Sequence, residues 1–273
     1  MTNIIRKISN VVFEEVYEWN KFYLVLSEIY WPPPHQLFMF NNFPWIKKIV
    51  KQYGISGPQS IQREVDELMM KWHSKEILDK IFLDWKSKPW LHNRLHILQD
   101  AIYAHNNGLY SLSIPTLIPQ IEGVLWGNFN FKGRAKITKY KEFFNSLLHK
   151  AIIITNRNKS LLDFLNDTLL VEFEYGLDKI SPLSRHAILH GADINYPSQK
   201  NSLKVILLMN AMIRLFRLEA LSNSNVIHLN GCHLIKQSKK KRIFYSTLSE
   251  AFKDGYIYCE KCEKKASWKS LIL

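Results

Sequence analysis

Cysteine is scarce in this chain. Three thiols in 273 residues cannot make the disulfide framework of a secreted domain, and the alternative use to weigh is metal binding. Long apolar runs are missing as well. The longest, Val205 to Phe216, is interrupted by Asn210 and Arg214, so no stretch reaches the roughly 20 apolar residues of a membrane-spanning helix. The opening MTNIIRKISNVVFEEVYEWN places acids where the apolar heart of a secretory signal would lie. With thiols kept reduced, these absences lead us to expect a soluble, cytoplasmic protein with no membrane partner. Glycine and proline, ten of each, are too few for a collagen-like or low-complexity chain. Walker, G-x-G-x-x-G, G-x-S-x-G and H-E-x-x-H patterns do not occur, which argues against nucleotide hydrolysis, serine hydrolysis and zincin chemistry. His92 and His96 stand at i, i+4 but lack a third ligand nearby and are read as core or surface residues.

Acids are short relative to bases. Thirty-seven Lys and Arg against 24 Asp and Glu leave a net charge of +13, and the isoelectric point is about 9.5. Such an excess suits a polyanionic partner, nucleic acid or an anionic membrane, with nucleic acid favoured, unless it reflects only a Lys-, Asn- and Ile-rich composition. Hydrophobic residues make up 47%, enough to bury a sizeable core.

Helical periodicity dominates. Apolar positions recur at helical spacing through residues 1–30, and Pro32-Pro33-Pro34 and Pro44 then mark a loop. Amphipathic helices are expected at Gln59 to Trp72 and Lys75 to Lys86. Another runs from about Ser87 to Asn106, and one from Ser111 or Ser113 onward through Leu125. Further helices fit 134–151, 159–175, 182–190 and 198–221. Strand pairing is expected only near the end, as a hairpin of 233–237 with 242–245.

The sharpest local pattern is H-x3-C, 26 intervening residues, then C-x2-C, formed by His228, Cys232, Cys259 and Cys262. It uses every cysteine in the chain. Four N and S ligands in two short knuckles suit structural zinc, whose binding contributes folding free energy on the order of 10 kcal/mol. The Lys239-Lys240-Lys241-Arg242 run between the knuckles is either a nucleic-acid contact or a solvated turn.

Residues 226–262 resemble the zinc module of Ada-type DNA-repair proteins and a related zinc-knuckle appendage of some bacterial nucleases. The likeness is carried by the two ligand pairs, by Arg242, Phe244 and Tyr245, and by Thr247, Ala251, Gly255 and Tyr256 in a helix-and-turn pattern. One departure matters. In the repair proteins the first ligand is a methyl-accepting cysteine, and here it is His228. An imidazole ligates zinc but is not an activated thiolate, so a structural role is expected rather than methyl transfer.

Residues 185–191 read RHAILHG, an R-x4-H pattern; an Arg followed by a His with four to six residues between them arises about once by chance in a chain of this composition. With the flanking PLS, the long apolar segment after it and the upstream YSLSIPTLIPQIEGVLWG, it resembles HEPN domains, helical bundles found in toxins and phage-defence proteins. The resemblance implies Arg185 and His190 as a catalytic pair, His186 as a third polar member, a homodimer facing two motifs across its interface, and metal-independent RNA cleavage. It also implies an antitoxin or defence-system partner. On an ideal helix Arg185 and His190 would stand about 140° apart, whereas His186 and His190 share a face. Glu122 is a candidate to orient Arg185. The plain alternative is an ion-paired arginine and two histidines at a helix end, in a protein that binds or senses nucleic acid without cutting it.

The expected architecture is therefore mainly α. It comprises a helical N-terminal region (1–86), a HEPN-like helical bundle (87–222) and a small α+β zinc module (223–273).

Overall fold

The computed structural model describes residues 2–129, 133–134, 136–150, 156–176, 181–229, 232–245 and 248–262. The chain is mainly helical, with a small four-stranded sheet near its end. It divides into two compact, discontinuous units, Met1–Ser74 with Ala151–Ala211 and Lys75–Lys150 with Met212–Leu273. Residues 87–222 contribute helices to both. Among the described residues no helix is long and apolar enough to cross a membrane.

In the first unit α1 (Thr2–Glu28) packs on α3 (Phe43–Ser56) and α9 (Asn156–Phe164), and α3 on α4 (Gln59–Trp72). Helix α1 ends where Tyr30 turns left-handed at φ +55° and Trp31 N–H reaches back to Leu26 O at 2.8 Å. The three prolines that follow cannot continue a helix. Pro44 breaks nothing. It lies in the first turn of α3, where its missing N–H is harmless, and α2 (Gln36–Asn41) precedes it. The stretch read from prolines as a loop is thus largely helical. Phe22, Phe38, Ile46, Ile49, Val65 and Met69 fill the core, with Phe38 stacked on His73 at 5.7 Å.

The helix expected over 159–175 stops early. After Phe164 a π turn spans Leu165–Leu169, and the backbone then runs without regular structure to Glu174. The five-residue α10 (Arg185–Leu189) follows, then α11 (Gln199–Ile213), buried on every side from Asn201 to Ile213. Continuous burial explains the weak periodicity that made 198–221 look like one helix. Its last residues, Leu218–Leu221, form strand β1 instead.

In the second unit α5 (Lys75–Lys86), α6 (Leu95–Asn106), α7 (Tyr110–Phe129) and α8 (Ile137–Lys150) pack in sequence order. A 3-10 segment, Pro89–Arg94, occupies the front of the helix expected from Ser87. Arg94 lies against α7 and donates to Gln120 Oε1 at 2.6 Å. Its guanidinium fills the space above Gly123, where a Cβ would come within 2.4 Å of Nη1.

The sheet orders β3-β1-β2-β4, with β2 at Val226–Leu229, β3 at Arg242–Tyr245 and β4 at Ile257–Tyr258. Strand β1 pairs antiparallel with β2 and β3, and β2 pairs parallel with β4. One face buries Leu218, Ala220, Ile227 and Leu229 with Leu248 and Ala251 from α13 (Leu248–Lys253), and Trp90 of the 3-10 segment packs against them. The expected 233–237 strand is a helical turn, α12 (His233–Lys236). The partner of β3 is β1, contributed from the end of the long apolar segment.

Candidate metal centre and candidate active site

His228 sits in β2, Cys232 precedes α12, and Cys259 and Cys262 flank the turn after β4. Parallel pairing of β2 with β4 aligns Ile227 with Tyr258, and Cys259 N–H donates to Ile227 O at 2.9 Å. That register sets Cys259 beside His228. One ligand atom from each of His228, Cys232, Cys259 and Cys262 lies within 4.8 Å of all the others. All three cysteines are free.

The environment fits a cation. His228, Cys259 and Cys262 are buried and Cys232 is half-buried. The buried Nδ1 of His228 has no hydrogen-bond partner among the described residues. Burial lowers the His228 pKa, and His233 nearby lowers it further, so the imidazole is held neutral with a lone pair to give. Burial pushes the Cys262 thiol well up, with Cys232 and Cys259 adding to the shift. The Leu229 N–H opposes this, donating to Cys262 Sγ at 3.4 Å. Three crowded thiols become thiolates together only where a metal supplies compensating charge. The four residues together can hold one metal ion.

The basic run divides in two. Lys239, Lys240 and Lys241 are exposed between α12 and β3. Arg242 is engaged within the protein. Its Nη1 is ion-paired with Glu219, which is 5% exposed, and its Nη2 donates to Ile235 O at 3.1 Å. Glu219 stands directly across β1–β2 from His228. The arginine therefore ties β3 to β1, the strand beside the candidate ligand His228, and to the helical turn after Cys232. Thr247 of the helix-and-turn pattern lies outside the described residues. Ala251 is buried in α13, and Tyr256 is half-buried.

Arg185 opens α10. Ser184 caps it, its Oγ accepting from Ala187 N at 3.4 Å. The helix closes at His190, and Gly191, at φ +73°, makes the left-handed turn that a side chain would disfavour. Arg185 Nη1 approaches His186 Nε2 at 3.4 Å. A guanidinium only donates, so this contact calls for a neutral His186 with its Nε2 lone pair free. The His186 and His190 rings stack at 5.8 Å and 15°. The three side chains thus form a chain of contacts along one short helix. Arg185 and His186 are half-buried and His190 is exposed. Tyr175 Oη donates to the His190 carbonyl at 2.8 Å. Glu122 lies on α7, in the second unit, whereas Arg185 belongs to the first.

Among the described residues no third donor joins His92 and His96 in a metal cluster. A group that the motifs did not flag is Lys204 on α11, 6% exposed, with Lys200 and Asp66 beside it. The signal for it was a lysine at the head of a long apolar run. No protein-family model, curated protein or solved structure matches the chain.

Proposed function

We propose that this protein cleaves RNA without a catalytic metal, through Arg185 and His190, and that its C-terminal module is a structural zinc site. The contact chain Arg185–His186–His190 carries the cleavage reading. The ribose 2′-OH attacks the adjacent phosphorus and its proton passes to the exposed His190; the P–O5′ bond breaks and the 5′ oxygen takes a proton from the imidazolium so formed, directly or through water. A 2′,3′-cyclic phosphate and a 5′-OH result. Arg185, held by His186, stabilises the charge gathered on the phosphorane oxygens. DNA lacks the 2′-OH and is not a substrate. As in the HEPN domains it resembles, the active form is a homodimer, held in check by an antitoxin or defence-system partner.

The zinc reading rests on donor chemistry. One imidazole and three thiols match a tetrahedral structural site, with all positions filled by protein and none left for substrate. A cytoplasmic, reducing setting keeps those thiols available.

The exposed Lys239, Lys240 and Lys241 favour a second reading, in which the protein binds RNA and does not cut it. Site variants separate the two. Cleavage in excess EDTA, by protein checked to remain folded, is expected for the wild type and absent in Arg185→Ala and His190→Ala, with binding retained. Binding without cleavage in all three would favour the second reading.

A further inference from the structure

The first unit contains a charge arrangement that neither the cleavage site nor the metal centre uses. Asp66 on α4 is fully engaged. Its Oδ1 accepts from Trp31 Nε1 at 2.7 Å, and its Oδ2 accepts from Lys200 Nζ at 3.0 Å. Lys204 follows one turn later on α11. It is 6% exposed, and its Nζ lies 4.9 Å over the Trp31 ring. No hydrogen-bond acceptor meets that ammonium among the described residues. The side chain is largely buried, but its Nζ is not among the enclosed polar atoms left without a partner, so solvent reaches the ammonium while the aromatic face lies on its other side.

The charges do not balance either. Two ammoniums face one carboxylate, which leaves one positive charge over in a largely buried setting. Lys200 is 39% exposed and Asp66 14%, so the cluster opens to solvent at its Lys200 side. Lys200 and Lys204 stand at i, i+4, where side chains converge on one patch. Asp66, itself held by Trp31, holds Lys200 in place.

We propose that Lys200 and Lys204, framed by Asp66 and Trp31, form a binding site for a phosphate group. A phosphodiester carries one negative charge and supplies oxygens for both ammoniums, so it neutralises the surplus. Burial has pushed the Lys204 pKa down to about 8, with Lys200 adding to the shift and Asp66 opposing it. A bound phosphate reverses that shift and holds the amine charged. The phosphate comes either from an RNA backbone or from a free phosphate compound. The site stands apart from the cleavage reading and survives its failure.

The test uses the full chain. Thermal melting is followed in inorganic phosphate, in acetate and in chloride at matched ionic strength, for the wild type, Lys204→Met and Lys200→Met. Phosphate is expected to raise the wild-type Tm in a saturable way, beyond acetate and chloride. Its affinity is expected to fall at least tenfold in both variants. Lys204→Met removes a buried charge, so loss of binding there does not stem from misfolding. A 2′-O-methyl RNA oligomer, which resists cleavage by 2′-OH attack, identifies the source. If it displaces phosphate in the wild type, the site takes the backbone; if it does not, the site takes a free phosphate compound. No phosphate-specific stabilisation of the wild type, equal stabilisation of Lys204→Met, or equal stabilisation by acetate would overturn the proposal.

Discussion

Replacing Lys204 with methionine tests whether burial of this ammonium is a standing cost to the fold. The folded-state pKa is about 8, against 10.5 for an unburied lysine. A folded value below the unfolded one means that the unfolded chain holds more protons between these limits, so stability rises with pH across that window. Below about pH 8 the cost is fully present. Two and a half pKa units correspond to about 3 kcal/mol. Methionine keeps the length and apolar stem of the side chain and removes the charge. Urea unfolding of both proteins at pH 7, 8, 9 and 10 isolates this group, because the other titrations cancel in the difference. The wild type is expected to gain about 2.5 kcal/mol on Lys204→Met between pH 7 and pH 10, following the same linkage relation. A difference that stays flat with pH would refute the reasoning. It would mean that Asp66 or solvent already compensates the ammonium.

Other consequences follow from the metal centre and the packing around it. Purified protein is expected to hold one zinc per chain by elemental analysis, and Cys259→Ser to lose most of it. Strong chelation should expose the buried sheet face, read as increased hydrophobic-dye binding. Arg242→Met leaves the buried Glu219 carboxylate without its partner and should cost about 3 kcal/mol in denaturant unfolding; the double variant Arg242→Met/Glu219→Met should recover much of that. Gly123→Ala displaces the Arg94 guanidinium from α7 and breaks its hydrogen bond to Gln120. The expected loss is about 1 kcal/mol, since the tip of a flexible side chain moves more readily than backbone.

Much of the helical content was legible because amphipathic faces announce themselves. Helices α4 and α5 run from Gln59 to Trp72 and from Lys75 to Lys86, the limits expected from their apolar spacing. Pattern failed where burial is continuous. The apolar segment after Asn201 has no polar face to reveal its period, so its change from α11 to β1 was invisible. Proline misled at Pro44 because the same residue that ends a helix also suits its first turn. The hairpin expected of 233–237 with 242–245 paired neighbours in sequence, whereas 233–236 is a helical turn and the partner of β3 lies earlier in the chain, in β1.

The metal quartet was the most legible site, because ligand spacing is a local property and the β2–β4 register had only to bring two knuckles together. Arg242 was harder. Within a run of four basic residues nothing in the sequence separates the one paired to Glu219 from the three facing solvent. Lys204 offered only a weak signal, a lysine at the head of an apolar run, since its significance comes from Asp66 and Trp31, which lie far away in sequence. Helix α10 starts at the arginine and ends at the second histidine, so ideal-helix angles do not govern its ends.

The most direct test of the cleavage reading is the chemistry of the product ends. Wild-type protein, RNA and excess EDTA are incubated, and the fragments are analysed by mass spectrometry. The account predicts 2′,3′-cyclic phosphates with 5′-OH partners, and no cutting where the scissile nucleotide is 2′-deoxy. Fragments with 3′-OH ends, or cleavage that persists at the 2′-deoxy position, would contradict it.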